Sequence, residues 1–282
     1  LVVVKDALVE GVHFLPDDPP ATVARKALRV NLSDLAAMGA AATHYLLAMV
    51  RPPRLDDRWL EAMVVGLADD QAAFGVSLLG GDTVATPGPL VLAVTALGRV
   101  PPGEALTRAG ARPGEDVWVS GTLGDAAQGL AILRGAWSPP EADAAALVER
   151  YRVPQPRLTL GGRLRGIATA CQDVSDGLVQ DMGHIAARSD VAVTIDAAAL
   201  PLSDAAREAP DALTGALSGG DDYELLFTSP PDRRLQIAAL ARELAIPLTR
   251  IGRTADGRGV VVVDAAGTPI VLDRRGWSHG WD

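Results

Sequence analysis

Two aspartates and a serine stand where an apolar run gives way to a helical pattern: Asp173-Val174-Ser175-Asp176-Gly177-Leu178, with Asp181 just beyond. Residues 167–170 before them read as a buried strand. Leu178, Met182, Ile185 and Ala186 after them recur at helical spacing and fall on one face. The stretch is therefore a strand–turn–helix unit with carboxylates at the strand end. A helix N-terminus favours anions, yet carboxylates this close repel unless a cation stands between them. Oxygen-only ligands suit Mg²⁺, which often combines one or two protein carboxylates with substrate phosphates. An Asp/Ser cap in a turn would use the same letters, so this stretch alone leaves both readings open.

The arrangement recurs along the chain. Residues 1–4 read as a strand ending at Lys5-Asp6. Residues 21–38 form a helical pattern ended by Gly39, with Asn31, Ser33 and Asp34 set among Leu32, Leu35 and Ala36. Such apolar neighbours argue against full exposure of the three polar residues. Residues 76–79 read as a short buried strand running into Gly80-Gly81-Asp82-Thr83, where glycines let the backbone approach a ligand closely. Ser218-Gly219-Gly220-Asp221-Asp222-Tyr223-Glu224 leads into a strand at 225–228. Strands and helices alternate throughout, which predicts an α/β or α+β fold. The Pro/Gly-rich stretch 101–114 marks a boundary between domains at 1–106 and 107–282.

Composition narrows the chemistry. Among 282 residues the formal net charge is −9, which disfavours nucleic acid as a partner. There are two lysines, Lys5 and Lys26, and no G-x-x-x-x-G-K-[ST] loop, no kinase H-R-D or D-F-G set and no G-x-S-x-G elbow. An enzyme of this make-up that handles a nucleotide must neutralise phosphate with metal ions and arginine; Arg108, between the halves, is the candidate arginine. Cys171 is the only cysteine, which excludes an internal disulfide and a Cys-based zinc site and fits a reducing cytoplasm. No apolar run reaches the length of a membrane span. The chain opens inside a strand-like run, which leads us to expect further residues upstream of Leu1.

Five motifs, taken in order, carry a resemblance. They are Asp6-Ala7-Leu8-Val9-Glu10-Gly11-Val12-His13-Phe14, Arg29-Val30-Asn31-Leu32-Ser33-Asp34-Leu35-Ala36-Ala37-Met38-Gly39, Gly80-Gly81-Asp82-Thr83, Asp173-Val174-Ser175-Asp176-Gly177, and the 218–224 stretch. Each is weak alone; the ordered set, spanning nearly the whole chain, resembles the thiamine-monophosphate kinase family of the aminoimidazole-ribonucleotide-synthetase-like superfamily. The resemblance implies two α/β domains and a homodimer whose N-terminal domains join into a β-barrel across the two-fold axis. It implies ATP-dependent phosphorylation of thiamine monophosphate by direct phosphoryl transfer with several Mg²⁺ ions, in the cytoplasm, with no membrane or nucleic acid involved. By resemblance, Asp6, Asp34, Asp82, Asp173 and Asp176 would bind magnesium, and Gly81, Asp82, Arg108 and Ser175 would contact ATP. His13, Glu224 and Trp277 would contact thiamine monophosphate, and no general base is assigned. Two departures stand out: the family's upstream acidic Gly-Asp-Asp motif is not in this sequence, and Val4-Lys5 replaces a Ser/Thr pair ahead of Asp6. The alternatives are an aminoimidazole ribonucleotide synthetase, a selenophosphate synthetase, or a nucleotide- and metal-binding dimer without turnover.

Overall fold

In the computed structural model, which describes residues 1–278, period-two alternation shapes the first strand. β1 (Val2–Val9) turns Val2 and Leu8 inward and Val3 and Lys5 outward. α1 (Pro20–Ala37), with proline at its first turn, covers the inward face. β2 (Ala41–Arg51), α2 (Asp57–Phe74), β3 (Ser77–Ala85) and β4 (Val91–Arg99) complete a four-stranded sheet in the order β1-β4-β2-β3. β4 pairs antiparallel with β1 and β2, and β2 pairs parallel with β3. α2 starts at an Asp56 side chain that accepts the Trp59 N–H, and ends at left-handed Gly75. Arg29 of α1, itself buried, grips the buried Asp70 of α2 through two nitrogens at 2.7 and 2.8 Å and donates to the Pro154 carbonyl.

The second half builds a six-stranded sheet. Its elements are β5 (Asp116–Ser120), α3 (Asp125–Leu133), α4 (Glu141–Arg152), α5 (Leu158–Leu164), β6 (Ala170–Asp173), α6 (Leu178–Ser189), β7 (Ala192–Asp196), α7 (Asp204–Arg207), α8 (Ala212–Ser218), β8 (Leu225–Ser229), α9 (Arg234–Leu244), β9 (Leu248–Ala255) and β10 (Gly259–Val263). The strand order is β10-β7-β9-β5-β8-β6. Every pair is antiparallel except β10 with β7. β5 and β8 are buried along their whole lengths, as central strands covered on both faces are. One face packs on α6 through Leu178, Met182 and Ile185. The other packs Trp118, Cys171 and Phe227 against Leu160, Leu164, Ile237 and Leu240.

That second core also takes in Ala36 and Ala37 of α1, so α1 is shared between the two halves. The contact with α5 is close because Gly161 has no side chain: a Cβ there would lie 2.0 Å from the Ala36 carbonyl oxygen.

Two sequence expectations change. The strand expected at 167–170 lies at Ala170–Asp173, so Asp173 is its last residue rather than a turn residue. β3 is an exposed edge strand, not a buried one, with Leu78, Leu79 and Val84 open to solvent. The short helices α7 and α8 carry too few periodic residues to have been anticipated. Of the aromatic and polar tail, His279 and Trp281 lie outside the described residues. Among those residues no helix is long and apolar enough to cross a membrane.

Candidate functional site

A cleft of about 500 Å³ opens where β1 and α1 meet the loop after β6. Its walls bring together Asp6 from β1, Asp34 from α1, Asp173 from the end of β6, and Ser175 and Asp176 from the following loop. His13, Arg108 and Trp277 also line it. Eight of the residues expected from the sequence thus converge from segments up to 271 positions apart along the 282-residue chain. A second cavity of about 420 Å³ shares Lys5, Asp34, Arg108 and Asp173 with the first and is otherwise walled by Val4, Ala37, Met38, Leu106 and Cys171, among others.

Local structure explains each placement. Asn31, one turn before Asp34, accepts the Asp6 backbone N–H at 2.9 Å and donates to the Ala27 carbonyl, locking β1 to α1. Ser33 donates to Asp173 Oδ2 at 2.5 Å, tying α1 to β6. The 175–177 loop wraps the buried Asp181 carboxylate: Oδ2 accepts the N–H groups of Ser175, Asp176 and Gly177 at 3.0, 3.0 and 3.1 Å, and Oδ1 accepts from Gln172. Asp176, Asp181 and His184 offer ligand atoms within 4.8 Å of one another, but both Asp181 oxygens are already taken by these donors. Asp181 therefore shapes the loop that presents Ser175 and Asp176. Trp277 is held over this loop by its own N–H, which donates to the Asp176 carbonyl, and by its carbonyl, which accepts from Gln180. His13 Nδ1 accepts the Val9 N–H at 2.9 Å, so the neutral ring carries its proton on Nε2.

Electrostatics marks the cluster as carboxylates in want of a cation. Burial, then repulsion from Asp173 and Asp6, drives the Asp34 pKa far above the ordinary carboxylate range. Burial raises Asp173 too, against the lowering effect of the Ser33 hydroxyl. Asp6 is raised by burial and by Asp176. Asp181 is pushed up to about 8, first by burial and then by Asp173 and Asp176. Hard oxygen donors crowded this way fit a divalent cation such as Mg²⁺.

Three expected residues are elsewhere. Glu224 does not reach the cleft: it is fully buried, accepting from Ser120 at 2.5 Å and from Arg150 and Arg157. Its partner positions explain this, because Glu224 immediately precedes the fully buried strand β8. Gly81 and Asp82 lie on β3, at the edge of the sheet opposite β1. The register aligns Asp6, Val94, Leu47 and Gly81 in one row. Three inter-strand steps therefore separate β1 from β3, roughly 14 Å. Within one chain Asp82 and Gly81 are not part of the acidic cleft.

The cleft contains residues that the sequence reading gave no role. Asp221, flagged there only as one of several aspartate turns, lines it; its neighbour Asp222 is buried instead, with both oxygens accepting the Gly124 N–H. Tyr223, Leu130 and Arg134 also line it. Arg134 follows Leu130 by four positions at the end of α3, a spacing that signals a shared face. Nothing in the sequence showed which way that face pointed.

Comparison with known proteins places this geometry. Residues 1–100 match the family model for the AIR synthase related protein N-terminal domain, and residues 112–265 match that for the C-terminal domain. The chain is 46% identical over 284 residues to the thiamine-monophosphate kinase of Escherichia coli (strain K12), covering 99% of this chain and 86% of that protein. It is similar to the crystal structure of thiamine-monophosphate kinase from Stenotrophomonas maltophilia K279a, with a TM-score of 0.87 and 49% identity over 93% of this chain and 84% of that one. It is also similar to AaThiL complexed with AMPPCP and TMP, with a TM-score of 0.87 and 33% identity over 98% of this chain and 86% of that one.

Proposed function

The chain belongs to the thiamine-monophosphate kinase family of AIR synthase related proteins, and we infer from this that it transfers the γ-phosphoryl group of ATP to thiamine monophosphate, giving thiamine diphosphate. The observation that carries the reading is the convergence of Asp6, Asp34, Asp173 and Asp176 with Arg108 in one cleft. Transfer of this kind depends on positioning and charge neutralisation rather than on a protein nucleophile.

In this reading the two domains span 1–106 and 107–282, with the site at their seam. Asp6, Asp34, Asp173 and Asp176 would hold Mg²⁺, which when bound neutralises charge on the β- and γ-phosphates. Arg108 and Ser175 would contact ATP: the guanidinium offers a fork of donors to phosphate oxygens, and the Ser175 hydroxyl supplies one more. The acceptor phosphate of thiamine monophosphate is already an anion, so no side chain need remove a proton from it. Trp277 offers an aromatic face to the flat cationic rings of thiamine, and His13 a ring N–H. Asp221 takes the place of Glu224 as the carboxylate that meets the positive charge, since it faces the cleft and Glu224 does not.

Gly81 and Asp82 join the site through a homodimer. β3 presents an apolar, unpaired edge, a template for pairing with another chain. A barrel closed across a two-fold axis, with β3 of one protomer beside β1 of its partner, would carry Asp82 to the partner's cleft. The substrates and the single buried thiol of Cys171 fit the reducing cytoplasm. ADP release with Mg²⁺ tests the reading. It is expected only when thiamine monophosphate is present. ADP release driven by formylglycinamidine ribonucleotide, or AMP and phosphate released with selenide, would assign one of the sister activities, and no nucleotide turnover with any acceptor would leave a binding protein.

A further inference from the structure

Lys26 is one of two lysines in the chain, and it is buried. It sits in the first half of α1, and all of its directions are occupied. Its ammonium donates to the His13 carbonyl at 2.9 Å and to Asp221 Oδ2 at 2.8 Å, and lies 3.9 Å from the centre of the Tyr151 ring. His13 belongs to the turn after β1, in the first half of the molecule. Asp221 and Tyr151 belong to the second. One cation therefore joins both walls of the cleft from behind, without lining the cleft itself.

The segment it holds is strained. Gly220, Asp221 and Tyr223 have φ of 71°, 62° and 51°. For a residue with a side chain the left-handed region is sterically disfavoured, and such a conformation persists only where its surroundings over-determine it. The backbone supplies part of the hold: the N–H groups of Asp221 and Tyr223 donate to the carbonyls of Ser175 and Val174, each at 2.8 Å. Asp221 Oδ1 accepts from the Tyr223 hydroxyl at 3.1 Å. Lys26 supplies the remaining restraint on the carboxylate. With Oδ2 on Lys26, Asp221 cannot rotate away from the cleft without taking its carboxylate from a buried ammonium, a costly arrangement.

Resting on the kinase reading above, we propose that Lys26 is a positioning residue for the thiamine half of the substrate: it fixes the Asp221 carboxylate and the His13 turn at the separation that the cationic rings require. It touches neither substrate. The ATP-contacting groups keep holds of their own: Arg108 on Ser189, and Ser175, whose carbonyl accepts the Asp221 N–H, through its own N–H on Asp181. Loss of Lys26 should therefore act on one substrate and not the other.

Steady-state kinetics on Lys26→Met and Lys26→Arg test this, with Asp221→Asn and the Lys26→Met/Asp221→Asn double variant completing a cycle. Lys26→Met is expected to raise KM for thiamine monophosphate by on the order of tenfold while KM for ATP changes less than about twofold, the signature of lost binding to one substrate. Lys26→Arg should recover part of the loss, because it keeps the charge. The double variant should resemble the worse single variant, because the two residues act as a unit. A residue needed only for folding would lower the active fraction and leave both KM values in place, and that outcome overturns the proposal. Equal rises in both KM values overturn it too. If Lys26→Met does not fold, Lys26→Arg and Asp221→Asn decide: unchanged KM for thiamine monophosphate in both overturns it. A wild-type protein that turns over no thiamine monophosphate would sink the kinase reading instead, a result separable from all of these.

Discussion

The Ser33 hydroxyl donates to Asp173 Oδ2 at 2.5 Å, linking residues 140 positions apart and joining the first helix to the end of a strand in the other half of the molecule. Both residues are buried. The bond offsets part of the burial that raises the Asp173 pKa, and so favours the charged, metal-binding form. Ser33→Ala should lower stability by about 1–2 kcal/mol and raise the Mg²⁺ concentration needed for half-maximal activity. Denaturant unfolding and a magnesium titration check the two parts; an unchanged magnesium dependence would make the bond structural alone.

Burial gives the metal-free protein a predictable pH response. Asp181 has a folded-state pKa near 8, and Asp34 and Asp173 are raised in the same direction. In the unfolded chain these groups lose their protons near pH 4. Between those limits the folded state binds more protons, so stability falls as pH rises from about 4 to about 8. A divalent cation replaces the protons. Thermal unfolding in chelator should therefore show falling Tm across that window, and the Tm gain from added Mg²⁺ should be larger near pH 8 than near pH 5.

Asp82 offers a test of the dimer. It lies across the sheet from Asp6 and is absent from the cleft of its own chain. Asp82→Asn and Asp176→Asn should each abolish turnover with the fold intact. Random exchange of the two variants makes half the dimers mixed, each with one site free of both substitutions, so about a quarter of wild-type activity should return. Mixed dimers without recovered activity would place Asp82 outside the partner's site.

Glu224 should behave as a structural residue. It is fully buried between Arg150 and Arg157, with Ser120 donating to it as well. Removing one member of such a set leaves uncompensated buried charge, at a cost of about 3 kcal/mol or more. Glu224→Gln should lower Tm sharply, and the folded fraction should keep its KM for thiamine monophosphate. A stable variant with a raised KM would return Glu224 to the substrate.

Much of this site was legible because its chemistry is local. Asp173, Ser175 and Asp176 sit at a strand-to-helix junction that periodicity reveals, and Asp34 and Ser33 interrupt an otherwise apolar helix face. What could not be read is direction. Asp221, Asp222 and Glu224 lie within four positions, yet one faces the cleft and two are buried; the left-handed backbone at Asp221 and Tyr223 decides which. Asp82 looked like its fellow aspartates because strand order, not strand content, sets its distance from them. Lys26 stood out in the sequence only as one of two lysines; its partners Asp221 and Tyr151 are 195 and 125 positions away, and the fold alone brings them to it.

The cleft is arranged for direct transfer of a phosphoryl group between two substrates. Following the label from ATP labelled at its γ-phosphate, with Mg²⁺ and thiamine monophosphate present, tests it most directly. The label should appear in the terminal phosphate of thiamine diphosphate, at the rate of ADP release, with none on the protein. Label retained on the protein, or ADP formed while the label leaves as inorganic phosphate, would contradict it.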